Sequence, residues 1–248
     1  MLRFVGLGLY DDLDVTLRGA RAIERADVVY AEFYTSRLSG CTLEDLERRH
    51  GSEIRVLERD EVESSSEVVD RARRSDVVFA VAGDPMVSTT HAELRLRAME
   101  AGVETTVVNA PSVSSAVSSA TGLQNYRFGR STSLVGRGGW TPSSPFEVVR
   151  DNLERRLHTL VYLDIDVDGD RERYMKASEA AARFDETDAV DVDTVVGVAR
   201  VGSPDVDVAY GTPAEVAEVD LGEPLHVVVA PAELHDVERR YLEAMAKR

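Results

Sequence analysis

The residues best able to do chemistry stand just after apolar runs. Residues 76–82 are the least interrupted of these runs and stop at Gly83, Asp84 and Pro85. In an open parallel sheet, ligands bind beyond the carboxyl ends of the strands, which puts the Asp84 carboxylate where a ligand would lie. Asp and Pro also form turns, so a plain turn explains the same residues. Gly6 and Gly8 follow the first apolar run in the same manner. A dinucleotide fingerprint needs a third glycine at position 11, but Asp11 stands there beside Asp12, and the pair would repel a pyrophosphate. A tight turn fits the two glycines, and so does close backbone approach to a ligand without phosphates.

His50, His91, His158, His226 and His235 have no metal-ligand spacing with one another, with Cys41 or with a close carboxylate pair, so no metal site is expected. His226 lies inside the apolar run 224–230, where a core histidine with satisfied nitrogens is the ordinary outcome. Thr90 reads as the N-cap of a helix opening at His91. Gly136, Arg137, Gly138, Gly139 and Trp140 could cradle an anion or form a flexible loop. No nucleophile elbow, Walker loop or catalytic-triad pattern is present.

The elements that must position these residues follow from periodicity. Strand patterns at 2–8, 27–33, 54–57, 76–82 and 104–109 alternate with helix patterns at 15–26, 42–50, 64–74 and 91–101. Such alternation implies an open, mostly parallel α/β layer. Beyond it, strand patterns fall at 131–135, 159–164, 194–201, 207–210 and 225–230, and helix patterns at 146–156, 171–182, 213–219 and 234–246. The Pro/Ser-rich stretch around Pro111 is the natural boundary. Two α/β domains are expected, 1–110 with a parallel sheet and 111–248 with a mixed one, with a cleft between them.

A chain of 248 residues with 43% hydrophobic and 30% charged residues can bury a core, which excludes disorder as the main state. One cysteine excludes a disulfide framework. No basic-then-apolar leader is visible, and the longest uncharged run, 105–126, is too polar to span a bilayer. The net charge is −16, and only Lys176 and Lys247 are lysines. That balance argues against nucleic acid and against an anionic membrane as partners. It also suits the cytoplasm of a halophilic archaeon, where salt screens the self-repulsion.

Gly6, Leu7, Gly8, Leu9 and Tyr10, with Thr16, the entry Arg25-Ala26-Asp27-Val28-Val29 and the loop Gly83-Asp84-Pro85, resemble the tetrapyrrole-methylase type of S-adenosylmethionine methyltransferase. More specific segments are 31–36 (AEFYTS), 83–91 (GDPMVSTTH), 110–112 (APS), 122–126 (GLQNY) with Phe128 and Gly129, 157–160 (LHTL) and 163–165 (LDI). Together they resemble the diphthine synthase family nearly end to end. Ser88, where alanine is expected, and the glycine-rich approach to Trp140 depart from the pattern. The resemblance implies a two-domain tetrapyrrole-methylase-like α/β fold and a methyltransferase using S-adenosylmethionine without a metal. The implied substrate is translation elongation factor 2, trimethylated on the amino group of a 3-amino-3-carboxypropyl-modified histidine, by a homodimer. It places donor contacts at Leu9, Asp84, Val87, Ser112, Val113, Leu163, Val201 and His226, with the donor folded between the domains, and names no catalytic residue. Methylation of a corrin or other tetrapyrrole on the same fold, or ligand sensing without catalysis, are the alternatives.

Overall fold

The computed structural model describes residues 1–136, 142–168 and 171–247. The chain forms two compact units, 1–113 and 114–248, three residues later than the boundary expected from the sequence.

The first unit runs β1 (Leu2–Gly6), α1 (Leu17–Arg25), β2 (Val28–Glu32), α2 (Leu43–His50), β3 (Ile54–Val56), α3 (Arg59–Glu63), α4 (Glu67–Ala72), β4 (Val77–Val81), α5 (His91–Glu100) and β5 (Thr105–Val108). Its sheet has the order β3-β2-β4-β1-β5, with every pair parallel. The chain moves one way from β1 through β2 to β3, then crosses back to β4 and on to β5. The strand order therefore reverses between β1 and β4, where open sheets bind ligands. All five residues of β4 are buried, because helices cover both faces. Phe4, Phe79 and Val81 point into one core, and Val5, Val78 and Ala80 into the other. Helix α2 is closed by reciprocal bonds between Thr42 and Asp45, which satisfy donors that a helix start leaves bare.

The second unit holds α6 (Val113–Thr121), which begins at the boundary, a 3-10 turn (Asn125–Arg127), β6 (Thr132–Leu134), α7 (Ser144–Glu154), β7 (Thr159–Leu163), β8 (Ile165–Asp168), β9 (Arg171–Tyr174) and α8 (Ala177–Glu186). It continues with β10 (Val195–Ala199), β11 (Asp207–Gly211), α9 (Pro213–Ala217), β12 (His226–Ala230), α10 (Asp236–Met245) and β13 (Ala246–Lys247). The main sheet is mixed, in the order β13-β11-β10-β12-β7-β6, and β8 and β9 make a separate hairpin. Phe146 and Val149 of α7 and Ala180, Ala181 and Phe184 of α8 pack on Val161, Val195 and Val228 of the sheet.

Two expected elements differ, and one helix was not expected. The helix expected at 64–74 is limited to α4, because the serines at 64–66 interrupt it, and α3 precedes it. The helix expected at 171–182 starts only at Ala177, since 171–174 pairs with β8 instead. The Ser-rich boundary contains α6, whose Val117 and Ala120 are buried.

Candidate functional site

The loops after β1, β2 and β4 are each pinned by a carboxylate that accepts backbone N–H groups. Asp14 Oδ2 accepts from Leu9 N (3.0 Å) and Tyr10 N (2.8 Å). Glu32 Oε2 accepts from Tyr34 N and Thr35 N, both at 3.0 Å, and its Oε1 takes the Thr35 hydroxyl. Asp84 Oδ1 accepts from Met86 N (3.0 Å), and Oδ2 from Asn109 Nδ2 (2.9 Å) and Ala110 N (3.3 Å). Successive N–H groups in such a loop would otherwise cradle a phosphate. Here the protein's own carboxylates fill that place and keep the edge negative. The dinucleotide reading of Gly6 and Gly8 fails for this reason.

The switch point itself is closed by glycines. Gly83 N donates to Gly8 O (2.6 Å), and Gly8 N to Gly83 O (3.3 Å). Gly8 has φ +84°, and a Cβ there would lie 2.2 Å from Asp14 Cβ, so no side chain fits. Asp84 is buried, at 7% exposure, and its carboxylate ties the end of β4 to the segment after β5. The carboxylate is therefore part of the loop's own framework and does not stand free in an open cleft. The segment Gly83-Asp84-Pro85 is a turn, and it stands beyond a strand end. Val87 is 37% exposed. Ser88 beside it has φ 56°, a left-handed conformation that costs a non-glycine residue about 1–2 kcal/mol. Thr90 occupies the N-cap position of α5, but its hydroxyl makes no capping bond and faces Glu63 at 3.4 Å. Leu9, Ser112 and Val113 are half-buried after β1 and β5. Leu9, Asp84, Val87, Ser112 and Val113 thus share the carboxyl edge of the first sheet.

In the second unit, register gathers the other three. His226 opens β12 opposite Ala199, and the antiparallel pairing of Val227 with Tyr162 sets His226 against the end of β7, where Leu163 lies. Val201 follows β10 by two residues. Leu163, Val201 and His226 therefore share one edge. His226 Nδ1 accepts from Ala177 N (3.1 Å), and Nε2 donates to Glu223 O (2.9 Å). Burial lowers its pKa, so the ring is neutral at pH 7. The expectation of a satisfied core histidine holds. Arg200, at φ 53°, spreads its guanidinium over the carbonyls of Asp205, Leu221 and Glu223 and the Asp207 carboxylate. Ser114 Oγ, in the first turn of α6, and Tyr162 OH of β7 share a hydrogen bond of 2.9 Å.

The segment 122–129 is held from α10. Buried Glu238 accepts from Gln124 N (3.0 Å), His235 N (2.9 Å) and Arg127, and faces His158 Nε2 at 3.2 Å. Burial would raise the Glu238 pKa, but these donors outweigh it and leave the pKa lowered. Among the described residues no group of three or more His, Cys, Asp or Glu side chains could hold a metal, and no helix is long and apolar enough to cross a membrane. The anion-cradle reading of 136–140 falls outside the described residues, apart from Gly136. Sequence reasoning did not single out Asp14, Asn109 or Arg200. Glu32 was quoted only within the segment 31–36. An acidic residue a few positions after a strand-end glycine is the signal that could have found Asp14.

The family model for tetrapyrrole (corrin/porphyrin) methylases matches residues 1–217. A diphthine synthase from Methanosphaerula palustris is 49% identical, covering 99% of this chain and 98% of that protein. One from Halobacterium salinarum is 47% identical, with 99% and 97% covered. A crystal structure of diphthine synthase superposes with a TM-score of 0.91 at 37% identity, covering 99% of this chain and 95% of the other. The chain belongs to the diphthine synthases. Like other diphthine synthases it is an S-adenosylmethionine-dependent methyltransferase of diphthamide biosynthesis. The resemblance stated from the sequence segments and the tetrapyrrole-methylase fold both stand. A putative diphthine synthase from Entamoeba histolytica has the same fold, with a TM-score of 0.88 at 32% identity, covering 100% and 99% of the two chains.

Proposed function

We propose that the protein moves methyl groups from S-adenosylmethionine to the amino group of a 3-amino-3-carboxypropyl chain on a histidine of translation elongation factor 2, three per histidine. The observation that carries the reading is the row of carboxylates, Asp14, Glu32 and Asp84, spent on strand-end N–H groups. Such an edge disfavours phosphates and favours a cation, and the donor brings both a sulfonium and an ammonium. The amine nitrogen attacks the methyl carbon, the S–C bond breaks, and its electron pair stays on sulfur as a neutral thioether. The sulfonium is already activated, so the protein chiefly has to position the two reactants. An α-amino group has a pKa of about 8, and holding it neutral near pH 7 costs about 1–3 kcal/mol, which desolvation in a mostly apolar site can supply. We assign no general base. The ammonium formed in the first and in the second transfer gives its proton to solvent before the next, and the third leaves a quaternary ammonium with no proton to lose.

Leu9, Asp84, Val87, Ser112 and Val113 are the donor contacts we assign to the first unit, and Leu163, Val201 and His226 those of the second. Asp84 and His226 already use their side-chain polar atoms on protein partners, so they serve by fixing the backbone around them. Incubation with methyl-labelled donor and elongation factor 2 carrying the unmethylated modification tests the reading. Label on the factor, rising to three methyls by mass, is expected. Label on an added corrin intermediate and none on the factor would move the activity to the tetrapyrrole branch.

We also read the chain as a homodimer of a halophile's cytoplasm, with a protein substrate and neither nucleic acid nor membrane as partner. The −16 charge and scarcity of lysine support the halophile reading and weigh against nucleic acid and an anionic membrane, and the family resemblance supports the dimer. Sedimentation should give a dimer, and the melting temperature should rise between about 0.1 M and about 2 M KCl, as the screening length shrinks from roughly 10 Å to under 3 Å. A flat or falling melting temperature would remove the halophile reading.

A further inference from the structure

We propose that His91 is a positioning residue for the loop after β4, acting through the carbonyl of Pro85. The proposal rests on the reading that residues 84–87 touch the methyl donor. The Pro85 carbonyl sits inside that loop and accepts twice, from His91 Nδ1 (3.1 Å) and from the Thr89 hydroxyl (3.0 Å). A carbonyl only accepts, so Nδ1 of His91 carries the hydrogen. On the far side of the ring, Nε2 stands 3.3 Å from Glu32 Oε1, within ion-pair distance but out of line for a hydrogen bond. Glu32 also holds the loop after β2 through Tyr34 N and Thr35 N. Phe79 of β4 meets the ring edge-on, 5.1 Å between centroids, and fixes its plane. His91 and Glu32 both have no solvent exposure.

The ring thus joins two strand-end loops instead of bracing the sheet beneath them. That matters because Ser88, three residues after Pro85, holds the left-handed φ of 56°. A non-glycine residue stays there only when its surroundings hold it. The two donors to Pro85 O follow this residue closely in the chain, at 89 and 91. Without them the loop relaxes, and Asp84 and Val87 relax with it. The segment Val87-Ser88-Thr89-Thr90-His91 thereby acquires a role, because its polar side chains set the shape of a loop whose donor contacts are backbone and Val87.

Calorimetric titration of S-adenosylmethionine into the full chain at fixed salt, with steady-state kinetics alongside, tests the proposal. Asn at 91 places its Nδ2 where the ring has Nδ1, whereas Gln places its donor toward Glu32. His91→Asn should bind the donor within threefold of the parent. His91→Gln should bind about tenfold more weakly, the effect of one buried hydrogen bond, with KM for the donor raised and kcat little changed. Should His91→Gln not fold, Thr89→Val removes the second donor and should weaken binding about threefold. Parent-like binding by His91→Gln, or by Thr89→Val in its place, overturns the proposal. So does equal weakening in His91→Asn and His91→Gln, which would reduce the ring to packing against Phe79. Absence of donor binding in the parent would instead overturn the proposed function, and this inference with it.

Discussion

The loops at the edge of the first sheet are held by acceptors, and those at the edge of the second chiefly by donors. In the first, Asp14, Glu32 and Asp84 take up N–H groups after β1, β2 and β4. In the second, Arg200 gives its N–H groups to three loop carbonyls, and His226 gives one and takes one. The topologies account for the contrast. Every strand of a parallel sheet leaves by the same edge and turns toward a helix, so that edge is crowded with N–H groups seeking acceptors. In the second sheet β12 begins where β7 and β10 end, and the intervening loops present carbonyls that need donors. A negative edge and a carbonyl-rich edge stabilised by a guanidinium are different electrostatic environments.

Breaking the donor side should cost most. Arg200→Ala leaves the carbonyls of Leu221 and Glu223 short of partners and should destabilise the protein by about 2–4 kcal/mol, read from urea midpoints. A shift under about 0.5 kcal/mol would mean that water replaces the guanidinium freely. Next comes acid. Burial lowers the pKa of His158 and His226 below the ordinary 6.5, so the unfolded chain binds protons that the folded one does not. Stability is complete above about pH 6.5 and falls as pH drops through and below it, by up to about 1.4 kcal/mol per pH unit for each histidine. The lowered pKa of Glu238 adds a loss at more acid pH. Unfolding midpoints between about pH 7 and pH 5 check the sign, and stability that rises on acidification contradicts it.

On the acceptor side, Asp84→Ala should weaken donor binding by about 1–3 kcal/mol and cost a similar amount of stability, because Met86 N, Asn109 and Ala110 N lose their acceptor. Titration and thermal melting at equal salt separate the two effects. Lost affinity with full stability would return Asp84 to a direct contact. The smallest expected change is Ser88→Gly, which relieves the left-handed backbone and gains about 0.5 kcal/mol after the glycine's extra chain entropy is subtracted. Denaturant midpoints resolve it, and a loss would show that the Ser88 side chain contributes more than its backbone costs.

The strands beneath this contrast were largely legible before the structure. The run 76–82 read as a strand of a parallel sheet, and the residues after it as either a turn or a ligand edge. Helix α6 was hidden because its serines dilute the apolar pattern to Val117, Ala120 and little else. Strand β9 was read as helix because Arg171, Glu172 and Arg173 carry no apolar period to choose between the two. The pins were harder still. Asp14 and Arg200 look like any surface charge in the chain, and what sets them apart is which backbone groups the fold leaves without partners beside them. His226 was read both as a satisfied core histidine and as a donor contact. The first holds, since its ring is spent on Ala177 and Glu223, and the register sets the residue at the sheet's edge.

The strand order of the first sheet also governs when that sheet can exist. Leu2 lies between Val77 on one side and Thr105 on the other. On the ribosome, β1 leaves the exit tunnel first and finds neither neighbour until the segments at 77 and 105 have followed it. Pairings that wait on distant segments are slow, and they leave apolar strands bare in the meantime. The segment Leu2–Gly6, with Phe4 and Val5, is the one that a nascent chain must keep from sticking elsewhere. Its safe burial depends on β4 and β5 arriving to flank it.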